Sequence, residues 1–342
     1  MLSAFDCCMM RGAINVAAVN FERRSNMNQT VAKLFEKYIK RSDLRPSSVR
    51  FKRKALDYFV AEFGDIDVQE VTTAIAEDYR TILAKGRSKR SANGYLANFK
   101  PFFSWLFKHG TIARNPFEGV RLYRITESRK QTFTSAELGA LMQVSSRIWR
   151  VRICLGLLGC RRGEMLNVCV RDIDLSGDLP HLTLRAKKQT ENTWPWQPKN
   201  YRERMVGVPE VMMIGGETVE LLKDIVIVIE GLGRQPYLCL DAKWYAKNME
   251  RLAAGELEDV HAADPTWNFQ RRFRNLQTLA GIKELRRFHE LRAAFVTKVI
   301  SMHGLSKACE AAGHSNVQIT KGYDRFSQMR LVAETIEAAS KY

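Results

Sequence analysis

The stretch that decides the reading is Leu158-Gly159-Cys160-Arg161-Arg162-Gly163-Glu164. It is completed downstream by His289-Glu290-Leu291-Arg292, by Gly313-His314, and by Tyr323 nine residues after that histidine. Exchange at a phosphodiester needs charge stabilisation on two non-bridging oxygens, a nucleophile, and a proton for the departing oxygen. Arginine suits the first role because its planar fork donates two hydrogen bonds and stays protonated. A phenol can supply the second. Gly159 is expected to end one helix so that Arg161 stands near the N-terminus of the next, with Glu164 three residues on bracing its guanidinium. The bland alternative for this box is a surface ion pair, which is the reading for Arg162. His289 and Arg292 should project from one helix face, anchored by the apolar turn Ala293-Ala294-Phe295-Val296-Thr297. The neighbouring Arg286 and Arg287 are expected to meet DNA backbone or solvent. His314 and Tyr323 lie about 900° apart on an unbroken helix, so both can reach one phosphate only if the backbone breaks between them. Gly322 is the expected break.

Composition supports a polyanionic partner. The 342 residues carry 54 basic and 37 acidic side chains, a net charge of +17, for which nucleic acid is the first explanation and solubility alone the weaker one. The length allows two domains with separate cores. Seven cysteines, an odd number without zinc-like spacing, point to a reducing, cytoplasmic setting. Cys154, Cys160, Cys169, Cys239 and Cys309 lie in apolar stretches and read as small core residues. No apolar run approaches the roughly 20 residues of a membrane span, and Ile225–Ile229 reads as core. The six histidines are scattered and the carboxylates form no clustered set, so no metal site or other cofactor is expected. Arginines would take the place of a metal at the phosphate.

The expected fold is mainly α with a small antiparallel β-sheet, an α+β chain of two domains. Residues 1–27 form a leader, and residues 28–119 are helical throughout. Thr30 can cap a helix with Val31, Leu34, Phe35 and Tyr38 inward. Pro46 opens a second that Gly64 stops, a third covers Thr72–Ala84, and a fourth carries Tyr95, Phe99, Phe102, Phe103 and Phe107 up to Gly110. Pro101 should kink that last helix or sit in its first turn. The aromatic stripe reads as core. Outward, Arg50, Lys52, Arg53 and Lys54 on the second helix and Arg87, Lys89 and Arg90 before the fourth make a plausible phosphate clamp. The charged stretch 120–132 reads as a linker, after which Thr134 and Glu137 form a capping box that opens a second domain over 133–342. Residues 168–175, 181–185 and 204–209 alternate as strands, and helices return from Ala242 onward.

Arg, then His-x-x-Arg, then Gly-His, then a late Tyr, in this order and spacing, resembles the tyrosine recombinase or phage integrase family. The likeness runs over about 28–340 and includes Ala113-Arg114-Asn115-Pro116-Phe117 at the close of the helical domain. Leu158 departs from the family, which usually has Thr there. The resemblance implies a helical core-binding domain and a catalytic domain closing on duplex DNA as a clamp, without metal or nucleotide. Tyr323 would be the nucleophile, with Arg161, His289, Arg292 and His314 on the phosphate and His289 also a candidate base. A lysine on a turn of the small sheet would supply the proton. Lys199 is the nominee and Lys187 and Lys188 the rivals, the segment with Trp194, Pro195 and Trp196 being longer than in compact relatives. It further implies a tetramer on specific DNA sites, exchange of a terminal helix (328–339, with Met329, Val332, Ile336 and Ala339 in a stripe), and accessory DNA-bending proteins as possible partners. A type IB topoisomerase and a DNA-binding protein without catalysis are the alternatives.

Overall fold

Thr30 caps the first described helix by accepting a hydrogen bond from the Lys33 N–H, an N-cap worth about 1 kcal/mol. The computed structural model describes residues 29–42, 44, 46–125, 132–199, 202–256, 268–314 and 316–321. The leader, Gly322, Tyr323 and the terminal stripe lie outside the described residues. The chain divides into two compact units, Met1–Arg129 and Lys130–Tyr342.

The first unit holds α1 (Val31–Arg41), α2 (Pro46–Phe63), α3 (Thr73–Ala84) and α4 (Lys89–Lys108). Its core is aromatic because Phe99, Phe102 and Phe103 of the α4 stripe turn inward, whereas Phe107 at its end is exposed. Phe99 is fully buried, with ring centroids of Phe35, Phe59, Tyr79, Phe103 and Phe117 between 5.0 and 5.7 Å away. Tyr79 keeps its buried hydroxyl satisfied by donating to the Ala55 carbonyl at 2.7 Å. Pro101 lies inside α4 without ending it.

One sequence expectation needs correction in this unit. Lys52 does not join the outward basic cluster. It is buried, and its ammonium donates to the Asn98 carbonyl at 3.0 Å, where an apolar residue could not satisfy that oxygen. The first part of the expected linker, 120–125, makes contacts to this unit. Val120 is buried, and Asn93 pairs with both backbone groups of Tyr123 at 2.8 Å.

The second unit opens with α5 (Ser135–Val144), where Thr134 and Glu137 form a complete capping box. It continues through α6 (Arg147–Leu157) and α7 (Arg162–Leu166) to a three-stranded antiparallel sheet, β1 (Ile173–Asp174), β2 (His181–Leu184) and β3 (Arg204–Gly207). Ile173 pairs with Leu182 and Leu184 with Arg204, a register that buries Leu182, Leu184 and Val206. A second hairpin, β4 (Val211–Ile214) with β5 (Glu217–Glu220), was not expected. Gly215 and Gly216 form its turn with φ of 62° and 88°, values that fit a two-residue hairpin loop. Helices α8 (Leu221–Glu230), α9 (Ala242–Ala253), α10 (Phe269–Leu279), α11 (His289–Ala312) and α12 (Val317–Lys321) complete the described chain. Gly304 breaks the helical backbone within α11.

The long segment between β2 and β3 folds on itself. Lys187 and Trp196 exchange backbone hydrogen bonds of 2.8 and 3.0 Å, and Thr190 and Thr193 close the turn between them. Trp194 pins this excursion to the unit: its ring stacks on Tyr237 at 4.2 Å and its indole N–H donates to Asn167 at 2.8 Å. Among the described residues no helix is long and apolar enough to cross a membrane.

Candidate phosphate-binding site

Three consecutive carbonyls at the end of α11 each receive a different arginine. Arg204 donates to Ala311 at 3.3 Å, Arg292 to Ala312 at 2.5 Å, and Arg161 to Gly313 at 3.1 Å. A helix C-terminus presents unpaired carbonyls at the negative end of its dipole, so cations gather there. Arg292 and Arg204 also donate to the Gly159 carbonyl, which ties the α6–α7 connection to the same point.

Local sequence makes this convergence possible. Gly159 has φ of 87°, and a Cβ there would stand 2.6 Å from the Phe295 ring of α11. The glycine therefore lets α6 end against α11, and Arg161 follows as the N-cap of α7. Glu164 accepts from the Arg161 backbone N–H at 2.8 Å and from its guanidinium at 2.5 Å. Burial pushes the Glu164 carboxyl up, yet the charges of Arg204 and Arg161 and the Arg161 N–H outweigh it, holding it below the usual carboxylate range. Gly313 then ends α11 in the left-handed region, φ 60°, with the His314 N–H returning to the Cys309 carbonyl.

His314 is buried and its Nδ1 shares a 2.8 Å hydrogen bond with the buried hydroxyl of Thr320 on α12. Its pKa is lowered to about 4, first by burial and then by the charges of Arg292 and Arg161. The imidazole is thus neutral near pH 7, and Nδ1 is committed to Thr320. Three guanidinia against one carboxylate leave the cluster with a surplus of positive charge, suited to an anion with several oxygens.

The structure brings together Arg161, Glu164, Arg292 and His314 among the sequence-derived residues. His289 is exposed at the start of α11. Arg292, three residues along the same helix, is fully buried. Arg204 is the member that sequence reasoning missed. Its one signal in the sequence is its place on the strand after the lysine turn.

Lys199 is exposed beyond the Trp196 bridge. Lys187, its rival, has its ammonium 1% exposed and 2.8 Å from Asp172, while Lys188 is exposed. Tyr323 lies two residues beyond the end of α12 and outside the described residues. Among the described residues no group of three or more His, Cys, Asp or Glu could hold a metal ion.

Of the basic residues expected on DNA, Arg50, Lys89, Arg90 and Arg287 are exposed. Arg53 is exposed but paired to Glu36 through two bonds of 2.9 and 2.7 Å, and Arg87 lies 4.0 Å over the Tyr58 ring. Arg286 does not reach outward. Its guanidinium is 9% exposed, donates to Glu137 at 2.8 Å and covers the Phe133 ring, so it holds α5 in place.

The fold and the site together define a two-unit, mostly helical protein whose second unit gathers arginines and a histidine around one helix terminus. No family profile matches the chain. It is 23% identical over 267 residues to a tyrosine recombinase of Pseudothermotoga lettingae, covering 76% of this chain and 80% of that protein. It is 28% identical over 95 residues to the prophage integrase IntR of Escherichia coli, covering 27% of this chain and only 22% of that protein. In fold it is similar to lambda integrase solved as a tetramer bound to a Holliday junction, with a TM-score of 0.63, 14% identity, and coverage of 89% of this chain and 80% of that one. In sequence and in fold the chain is thus similar to tyrosine recombinases and integrases.

Proposed function

We propose that the protein is a site-specific DNA recombinase that cleaves and rejoins strands through a phosphotyrosyl intermediate. The observation that carries this is the gathering of Arg161 and Arg292 at the Gly159, Ala312 and Gly313 carbonyls, directly before the buried, neutral His314, in a site with surplus positive charge. The Tyr323 oxygen attacks the scissile phosphorus, forming a 3′-phosphotyrosyl bond. The bond to the 5′-oxygen breaks, and that oxygen leaves with a proton from Lys199. Arg161, Arg292 and His314 donate to the non-bridging oxygens, and His289 takes the phenol proton. A 5′-hydroxyl of a partner duplex reverses the step. The phosphotyrosyl bond conserves the phosphodiester energy, so no nucleotide is consumed.

Residues 28–119 bind duplex DNA, with Arg50, Lys89 and Arg90 as exposed phosphate contacts and Arg53 and Arg87 joining them once their own partners are exchanged. The remainder, 133–342, carries the chemistry. Recombination needs two duplexes and four cleavages, so the working state is a homotetramer on specific DNA, in the cytoplasm beside the nucleoid. A terminal helix over 328–339 is exchanged between subunits, and DNA-bending proteins assist. The tetrameric lambda integrase supports this assembly by likeness of fold. Supercoiled plasmids with and without candidate attachment sites test the reading. Recombinants that depend on the site support it; site-independent relaxed circles identify a topoisomerase, and a mobility shift without cleavage identifies a binding protein.

A further inference from the structure

We propose that Arg204 is a positioning residue that sets Arg161 and the Gly313-His314 turn at a fixed spacing. The inference rests on the strand-exchange reading above. Arg204 stands on β3, away from the Arg, His-x-x-Arg and Gly-His segments, yet its side chain touches all of their supports. It donates to Glu164 at 2.8 Å, to the Gly159 carbonyl at 3.0 Å and to the Ala311 carbonyl at 3.3 Å. Gly313 packs so closely on it that a Cβ would stand 2.9 Å from the Arg204 Cδ.

The effect on Arg161 follows from the shared carboxylate. Glu164 is buried and must be paired by charge, because an isolated buried carboxylate costs several kcal/mol. With Arg204 on one oxygen, Glu164 needs only one arm of Arg161 and its backbone N–H. The other arm reaches Gly313 and stays on the side where His314 stands. Without Arg204, Glu164 depends on Arg161 alone, and the fork turns inward onto it. The site also loses one of its three guanidinium charges, and the Ala311 carbonyl loses its donor.

Covalent capture of sheared DNA from the source genome supplies the substrate, used as a nicked duplex carrying one recovered site. Arg204→Gln is expected to form the covalent adduct about 100-fold more slowly, the cost of a small displacement at a reacting centre. Its affinity for the half-site should remain within about threefold of wild type. Arg204→Lys, which keeps the charge and loses the fork, should recover part of the rate. In a Glu164→Gln background the same Arg204→Gln change should cost under about threefold, because the two residues act as a unit. A full rate in Arg204→Gln overturns the proposal. So do losses that multiply across the two sites, or a loss of rate matched by an equal loss of affinity. If Arg204→Gln does not fold, Arg204→Lys and Glu164→Gln close the same cycle. A wild type that forms no adduct sinks the strand-exchange reading itself, whereas an active wild type with an unaffected Arg204→Gln sinks only the role of Arg204.

Discussion

Replacing Lys187 with methionine separates the two lysines that compete for the role of proton donor. The Lys187 ammonium is 1% exposed and lies 2.8 Å from Asp172, itself fully buried. It also donates to the Arg185 carbonyl at 3.4 Å and lies over the Trp196 ring. Removing one partner of a buried ion pair costs about 3–5 kcal/mol, because the remaining charge is stranded. Here Asp172 keeps Arg185 at 2.8 Å and the Cys169 N–H at 2.8 Å, which places the expected cost at the lower end, about 3 kcal/mol. In a unit of this size each kcal/mol moves the melting point by about 2–4 °C, so Lys187→Met should melt about 10 °C lower. Lys199 is exposed, so Lys199→Ala should melt within about 1 °C of wild type. The chemistry should divide the opposite way. Lys199→Ala should cleave an ordinary phosphodiester slowly and recover on a substrate whose 5′-bridging oxygen is sulfur, since a thiolate leaves without a proton. Differential scanning calorimetry and single-turnover cleavage of the two substrates measure both effects. Sulfur rescue of Lys187→Met, with an unchanged melting point, would refute the reasoning.

Gly313→Ala forces a Cβ into the left-handed region and against Arg204; it should destabilise by about 1–2 kcal/mol and be read as a lower melting temperature. The His314 pKa of about 4 lies below its ordinary value near 6.5, so the unfolded chain binds the extra proton first and stability is lost as pH falls from 6.5 to 4. His314→Gln should flatten that part of the stability–pH curve, measured by urea unfolding across the range. Truncation after Ser327 should leave binding of a single half-site intact and abolish cooperative loading of the second subunit, which a native-gel titration of a two-half-site duplex reads directly.

Periodicity made most of the fold legible before any coordinates. The inward stripe of α4, the Thr134 cap and the alternation in β1 to β3 each follow from one local rule. The β4–β5 hairpin is marked in sequence only by Gly215-Gly216, because its four-residue strands are too short to show a clear alternation. Lys52 and Arg286 were misplaced for a common reason: charge predicts exposure only until a buried carbonyl or carboxylate claims the group. Motif spacing marked Arg161, Glu164, Arg292 and His314, but it carries no information on through-space partners. Arg204 meets Glu164 across 40 residues and Arg292 meets Gly159 across 133, contacts that only the folded chain creates.

The central claim is that Tyr323 forms the covalent bond to DNA, and peptide mapping of the adduct tests it most directly. Wild-type protein incubated with the nicked duplex, denatured in SDS and digested should yield a nucleotide-bearing peptide containing Tyr323. Tyr323→Phe keeps the ring and loses the nucleophilic oxygen, so it should bind the same duplex with unchanged affinity and give no adduct. A covalent DNA complex that survives SDS in Tyr323→Phe, or an adduct that maps to another residue, would contradict the account.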